Sequence, residues 1–369
     1  MPVDGFFEQG ELSAELVELA EASLALGDAD AAFLLLAQVH ENHRHNRWTA
    51  TRVEALHLQG NYEGCRELAA PALNEMIAQQ DWLNATRVLL AHCRSMDALG
   101  NVHAGIEFLH RIEIQLRTLT ERGAEFRANV QLNLAGGICA QGDVETAHQL
   151  TIATVSICAQ SQDWRLHANY LWVQAQISEA AGDLPAAIDL VDKVVGVFDF
   201  HGDVSAMSRA VSHLCWLVTM YIDVGHDDLL RAHVWLEKVL RLERGAESSS
   251  VGWYLKAYEA HLMILLGDRE RALMRLGALG ALQSRDESAN SWIQWIFALC
   301  EFEMGNQEQA LVHLDNAMDL GMQFVDGTGR RVLRRYAHLY MDLNQPNKCN
   351  EYLEMLFEEK TLDYSWCLP

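Results

Sequence analysis

A short signature recurs along the chain and limits what it can fold into. An apolar stretch ends in Gly, an Asp or Asn follows at once, and a small residue sits five positions after the Gly. It is read at Gly27-Asp28 with Ala32, Gly60-Asn61 with Cys65, Gly100-Asn101 with Gly105, and Gly142-Asp143 with Ala147. It returns at Gly182-Asp183 with Ala187, Gly267-Asp268 with Ala272, and Gly305-Asn306 with Ala310. Two looser copies complete the series: Gly225-His226 with Ala232 two places late, and Asn344-Gln345, where Asn stands for Gly, with Cys349. The mean spacing is about 40 residues, and self-similarity at such a period is the mark of a repeat array.

Each element of the signature has a physical cause. Gly takes the left-handed conformation that closes one helix, and the Asp or Asn caps the N-terminus of the next by accepting backbone N–H bonds. The spacing therefore predicts helix, tight turn, helix. Pro185 and Pro346 fall just inside the second helices, where a missing N–H costs little, and Asn306-Gln307-Glu308-Gln309 fits a capping box. The small residue lets the two antiparallel helices approach; a large side chain there would force them apart. Seven positions before each turn stands a second small or modest residue: Ala20, Val53, Cys93, Ala135, Ala175, Val218, Ala260, Ala298 and Ala337.

On these residues the chain resembles the tetratricopeptide repeat family, over nearly its whole length. The repeat is long for that family: its steps run from 33 residues (27 to 60) to 43 (182 to 225). That length is similar to the repeats of MalT-type regulators, Rap-type peptide receptors and kinesin light chains. The tryptophan usual in the first helix and the terminal proline are mostly absent. HEAT repeats share the period, but the Gly-Asp turn inside each pair favours the tetratricopeptide reading. The resemblance implies an all-α fold, a right-handed α-solenoid of about nine helix-turn-helix repeats. It is expected as one continuous array over 1–369, with a cap pair at about 10–45, repeats over about 46–325 and a second cap pair over about 326–369. Polar or Gly/Ser-rich connectors at 41–46, 199–203, 245–251, 284–290 and 325–329 lie at the half-period offset.

Composition narrows the function. Half the residues are hydrophobic, enough to bury a core. A net charge of −23 disfavours nucleic acid as a direct partner, because phosphate binding needs clustered Lys and Arg. The one local exception is Arg330, Arg331, Arg334 and Arg335, read either as a solvated helix start or as a grip for an anion. The first residues lack the basic and apolar regions of a secretory signal, and the longest apolar stretch, about His213 to Ile222, is too short for a membrane span. Eight cysteines lie singly in apolar segments without a C-x-x-C, which suits a reducing compartment, the cytoplasm. The nucleophile-elbow, phosphate-loop, dinucleotide and H-E-x-x-H motifs are missing, so no enzyme and no cofactor are expected. His40, His43 and His45 lack further ligands at metal spacing and read as a polar connector, so no metal is expected.

In the tetratricopeptide arrangement the first helices line an inner groove, and the family's inner positions fall at fixed offsets before each turn. By that resemblance the inner face carries Arg87, Arg94, Asn129, Asn169, Trp172 and Gln176, then Ser212, Tyr254, His261, Trp292, Trp295, Arg331 and Arg334. Arg87, Asn129 and Asn169 share one position in three successive repeats. Side-chain amides there can bond the N–H and C=O groups of an extended peptide, and Arg87 can take a carboxylate. Trp172 would anchor an apolar group one turn from Asn169. Among the aromatics, Tyr254 and Trp295 are the candidates for an exposed anchor, while Trp253 and Phe302 read as core. Trp82 and Trp164, each opening a first helix, read as packing between repeats. The leading expectation is a scaffold or adaptor for a protein or peptide partner. Second stands a regulatory sensor that binds a small effector or signalling peptide and acts through another protein, and third a structural subunit of a larger assembly.

Overall fold

In the computed structural model, the structure describes residues 4–99, 101–117, 123–220, 225–242, 250–280, 287–321 and 329–358. Among them are eighteen α-helices and no strand. They follow one another as hairpins: α1 (Asp4–Ala25) with α2 (Ala29–Ala37), α3 (Asn46–Leu58) with α4 (Tyr62–Ala78), and α5 (Trp82–Ala98) with α6 (Val102–Leu116). Then come α7 (Ala124–Ala140) with α8 (Val144–Gln160), α9 (Trp164–Ala180) with α10 (Leu184–His201), and α11 (Val204–Met220) with α12 (His226–Leu242). The last three are α13 (Ser250–Leu265) with α14 (Arg269–Gly280), α15 (Glu287–Glu303) with α16 (Gln307–Gly321), and α17 (Gly329–Asp342) with α18 (Pro346–Glu358).

The turns inside the hairpins behave as the signature requires. Gly27, Gly60, Gly142, Gly182, Gly267 and Gly305 all take positive φ, and Asn344 takes the same conformation at φ 56° in place of Gly. Asn tolerates that region better than most residues with a side chain. The following amide bonds back to the carbonyl five residues earlier, in the last turn of the first helix, as in Asp183 N to Ser178 O at 2.8 Å and Asp268 N to Met263 O at 2.8 Å. Asp28, Asn61, Asp143, Asp183 and Asp268 then cap their second helices by accepting from the backbone N–H three residues on. Two turns differ. Gly100 lies outside the described residues, and Gly225 has no positive φ. The capping box expected at Asn306 does not form: the Asn306 amide N–H donates to Glu301 O at 2.9 Å, its side chain to Glu301 Oε2, and Gln309 turns to His313.

Close packing follows from the two rows of small residues. Ala32, Cys65, Ala147, Ala187, Ala232, Ala272 and Ala310 are fully buried, as are Ala20, Val53, Ala135, Ala175, Ala260, Ala298 and Ala337 facing them. Ala187→Leu and Ala272→Leu are each expected to destabilise by ~1–3 kcal/mol, because the three added side-chain carbons have no space between the helices. Urea midpoints would measure it, and unchanged midpoints at both sites would mean that these alanines do not set the helix spacing.

The helices fall into two compact units, one over Met1–Met207 with Leu242–Gly245, the other over Ser208–Arg241 with Ala246–Pro369. In the first, α1–α10 form five hairpins whose first helices touch in series, α1 with α3, α3 with α5, α5 with α7 and α7 with α9. Trp82, opening α5, stacks on Phe126 of α7, with ring centres 5.7 Å apart. Trp164, opening α9, lies flat on His201 at the end of α10 (4.3 Å). Trp82 thus packs between repeats, as expected, whereas the ring contacts of Trp164 among the described residues are with α10 of its own hairpin. Asp81 and Asp203, each after a left-handed residue (Gln80, Gly202), cap the next first helix, so the same chemistry also makes turns between hairpins. In the second unit, α13 packs on α14 and α15, and α15 and α16 make the most extensive hairpin contact. Of the connectors, 245–249, 284–286 and 325–328 lie outside the described residues; the first is a single 3-10 turn at Glu41–His43.

Candidate ligand-binding face

The inner register of the first unit holds two polar clusters, one charged and one neutral. In the charged one, Arg87 of α5 donates through Nε and Nη2 to both oxygens of Glu54 on α3 (3.0 and 2.5 Å), and through Nη1 to Glu21 of α1 (2.6 Å). Its Nη2 also reaches Thr51 Oγ1 (3.1 Å). Arg47 grips Glu21 with two bonds (3.1 and 2.6 Å) and Glu18 with a third (3.2 Å). Burial alone would raise the Glu21 carboxyl, but the guanidiniums of Arg47 and Arg87 outweigh it and hold the carboxyl below its ordinary value. Arg87 is only 16% exposed; burial disfavours its charge, yet Glu54 and Glu21 hold it above the ordinary arginine range. Its donors are taken within the protein. The expectation that Arg87 offers its guanidinium to a partner's carboxylate is therefore replaced by a structural role. The reason is long-range: Glu21 lies 66 residues earlier and reaches Arg87 only once three repeats have stacked.

The neutral cluster lies on α7 and α9. Asn169 donates Nδ2 to Asn129 Oδ1 at 3.1 Å, Asn129 donates to Glu125 O at 3.3 Å, and Asn133 donates to Asn129 O at 2.8 Å. Asn129 is buried, 2% exposed, whereas Asn133 and Asn169 are half-buried. Asn129 thus serves as the inner member that orients Asn169. The remaining groups, Asn169 Oδ1 with its second N–H and Asn133 Oδ1, make no hydrogen bond among the described residues. Asn133 was not foreseen, although its i+4 spacing from Asn129 on one helix face could have shown it.

Trp172 and Gln176 continue the same face of α9 one and two turns beyond Asn169. Trp172 is half-buried with its ring 6.3 Å from Phe198. The Gln176 side chain reaches across to α7 at Gly136: a Cβ on Gly136 would lie 3.1 Å from Gln176 Oε1. A side chain at that position would make the Gln176 amide give by a few tenths of an ångström. Arg94 is half-buried on α5. The structure therefore brings Asn129, Asn133, Asn169, Trp172 and Gln176 onto one pair of adjacent helices and leaves Arg87 in the ion-pair cluster.

The same register in the second unit is closed. Tyr254 is 8% exposed and Trp295 2%, so neither is an exposed anchor. Trp295 stacks on Tyr336 (5.1 Å), stands perpendicular to His261 (5.2 Å) and lies 4.9 Å from Trp292. Trp292 in turn meets Tyr258 (5.4 Å) and Trp216 (5.8 Å). Large rings at equivalent positions of successive first helices cover one another, an outcome that the residue types permit but that their spacing alone does not reveal. The side chains of Arg331, Arg334 and Trp253 lie outside the described residues. Among the described residues no helix is long and apolar enough to cross a membrane, and no group of three His, Cys, Asp or Glu is placed to hold a metal.

No family model matches the chain, and no curated protein matches it. Solved structures do. A Rap protein complexed with Competence and Sporulation Factor matches over 95% of this chain and 97% of its own, at 11% identity and a TM-score of 0.56. The apo form of RapI matches over 94% and 97%, at 10% identity and 0.52. The fold is that of the tetratricopeptide-like helical repeats. A human IFIT1 dimer with m7Gppp-AAAA also matches, over 93% of this chain and 81% of that one, at 12% identity and 0.50. At these identities the likeness is one of fold. Its bearers hold ligands of different chemistry, so the ligand has to be argued from this chain's own side chains.

Proposed function

We propose that the chain is a non-enzymatic peptide- or protein-binding repeat protein, an adaptor or regulator that holds an extended partner segment on the inner face of its first unit. The observation that carries this reading is the Asn129–Asn169 pair. A buried amide bonds a half-buried one, and Asn133 stands one turn along, half-buried, with no hydrogen bond to its carbonyl oxygen among the described residues. Such amides recognise a peptide backbone, because each offers both a donor and an acceptor. Trp172 supplies the adjoining apolar contact, and Gln176 extends the polar row. The Rap structure, complexed with Competence and Sporulation Factor, supports the reading by showing that this fold accommodates a bound factor.

A double substitution, Asn129→Ala with Asn169→Ala, is expected to weaken binding of a partner recovered from the source cell by more than tenfold, above ~1.4 kcal/mol. Isothermal titration would measure it, with circular dichroism confirming the fold. An affinity within about twofold of the parent would move the binding surface to the convex face. Binding to random duplex DNA at physiological salt is expected to be undetectable, because −23 of net charge leaves no extended basic surface for phosphates. Tight, salt-sensitive binding in a fluorescence anisotropy titration would overturn that exclusion.

A further inference from the structure

Helix α8 shows solvent a face that the other second helices of the first unit do not have. Between Glu145 and Asp163 the sequence contains no Asp, Glu, Lys or Arg, in a chain where such residues make up 21%. The helix packs on α7 and α9 and is buried along the row of Ala147, Thr151, Thr154 and Cys158. Beside that row lie two more at the same helical spacing, His148, Ile152, Val155 and Ala159, then Gln149, Ala153, Ser156 and Gln160, all exposed. Ile152 is 49% exposed and Val155 43%. The neighbouring second helices show charge instead: Asp30 on α2, Glu67 and Glu75 on α4, Glu107 and Arg111 on α6, Asp189 and Lys193 on α10. Ile and Val are also poor choices for a helix position that stays in water, since branching at Cβ lowers helix propensity. What they offer is a fixed rotamer, so little entropy is lost when they are covered.

We propose that this face is where two copies of the chain associate, through an antiparallel contact of α8 with α8 about a two-fold axis. Charge selects the occupant. At such an axis a surface meets its own copy, so a charged residue on it faces like charge. In a chain of net charge −23, two copies repel each other wherever carboxylates are shown, and along α8 beyond its first turn none is. A partner of different sequence is under no such constraint, and complementary charge would draw it to the acidic surfaces of this chain instead. With the axis between Ile152 and Val155, each Ile152 packs on Val155 of the other copy, while Ala153, Ser156 and Ala159 let the helix axes approach closely. The 17 residues of α8 give a contact about 25 Å long. That is at the low end of specific interfaces, so the dimer is weak, with a dissociation constant on the order of 100 µM. The contact needs nothing from the amides on α7 and α9.

Sedimentation equilibrium of the full chain, from about 5 µM to about 1 mM, provides the test. The mass is expected to rise towards that of a dimer across this range, and to do so at lower concentration when salt is raised, because salt screens the repulsion between two chains of charge −23. Ile152→Lys and Val155→Glu are each expected to weaken self-association at least about tenfold. Their circular dichroism should match the parent, since both positions are exposed. Mixed one to one, the two variants are expected to associate with each other, because position 152 of one lies against position 155 of the other and the new charges are opposite. A parent that stays monomeric at about 1 mM in high salt would overturn the proposal and leave the face to a different protein. So would a dimer that weakens as salt rises, one that either variant leaves intact, or a mixture no more associated than its parts. The double variant Asn129→Ala with Asn169→Ala is expected to dimerise as the parent does, so this proposal and the peptide reading fail separately.

Discussion

Arg87→Ala is expected to lower the stability of the first unit by about 3 kcal/mol, the lower end of what losing one partner of a buried ion pair costs. The substitution removes the only guanidinium that bridges Glu21 of α1 and Glu54 of α3 among the described contacts, and leaves two carboxylates facing each other across a half-buried layer. Urea unfolding followed by circular dichroism at pH 7 measures the loss. Glu21 adds a pH dependence with a definite sign. Its folded-state pKa lies below the ordinary 4.5, so its contribution is complete above pH 4.5 and is lost as the pH falls from there through the folded value. The stability gap between the parent and Glu21→Gln should therefore be constant from pH 7 to about 5 and close below that. A gap that stays open down to pH 3, or an Arg87→Ala protein as stable as the parent, would show that the cluster is ornamental.

The turns were legible because their determinants are local. A left-handed Gly, a capping Asp or Asn and a small residue five positions on lie within one short stretch, and Gly27, Gly60, Gly142, Gly182 and Gly267 each close the same hairpin with them. Even Asn344 in place of Gly reads correctly, because its own backbone preference decides. The capping box at Asn306 fails for an equally local reason: the end of the preceding helix, α15, already supplies Glu301 O to that amide. The inner-face residues were legible only as positions. Register places Arg87, Asn129, Asn169 and Trp295 on one side of their helices, but what each does there depends on residues remote in sequence. Glu21 converts Arg87 from a ligand group into a strut, and Tyr336 and His261 close over Trp295. Asn129 and Asn169 find each other across 40 residues because their repeats are neighbours at the same offset. Gly136 had no signal in the turn pattern, since its close approach to the Gln176 side chain arises only when α7 and α9 pack.

Trp295→Ala is expected to cost the second unit ~3–5 kcal/mol, the range for removing a large aromatic from a packed core. The ring is 2% exposed and touches side chains from α13, α15 and α17, so its loss opens a void that three helices border at once. Those neighbours cannot all move in to fill it, because Ala260, Ala298 and Ala337 already hold the same helices at close approach to their partners. Trp172→Ala in the first unit is the control, since that ring is half-buried and borders Phe198 at the greater distance of 6.3 Å. It should cost clearly less in stability, and any loss of partner affinity it causes can then be read as a contact. Urea unfolding of the two variants and the parent, followed by circular dichroism, makes the comparison. If Trp295→Ala were no more damaging than Trp172→Ala, the rings of the second unit would not be a core.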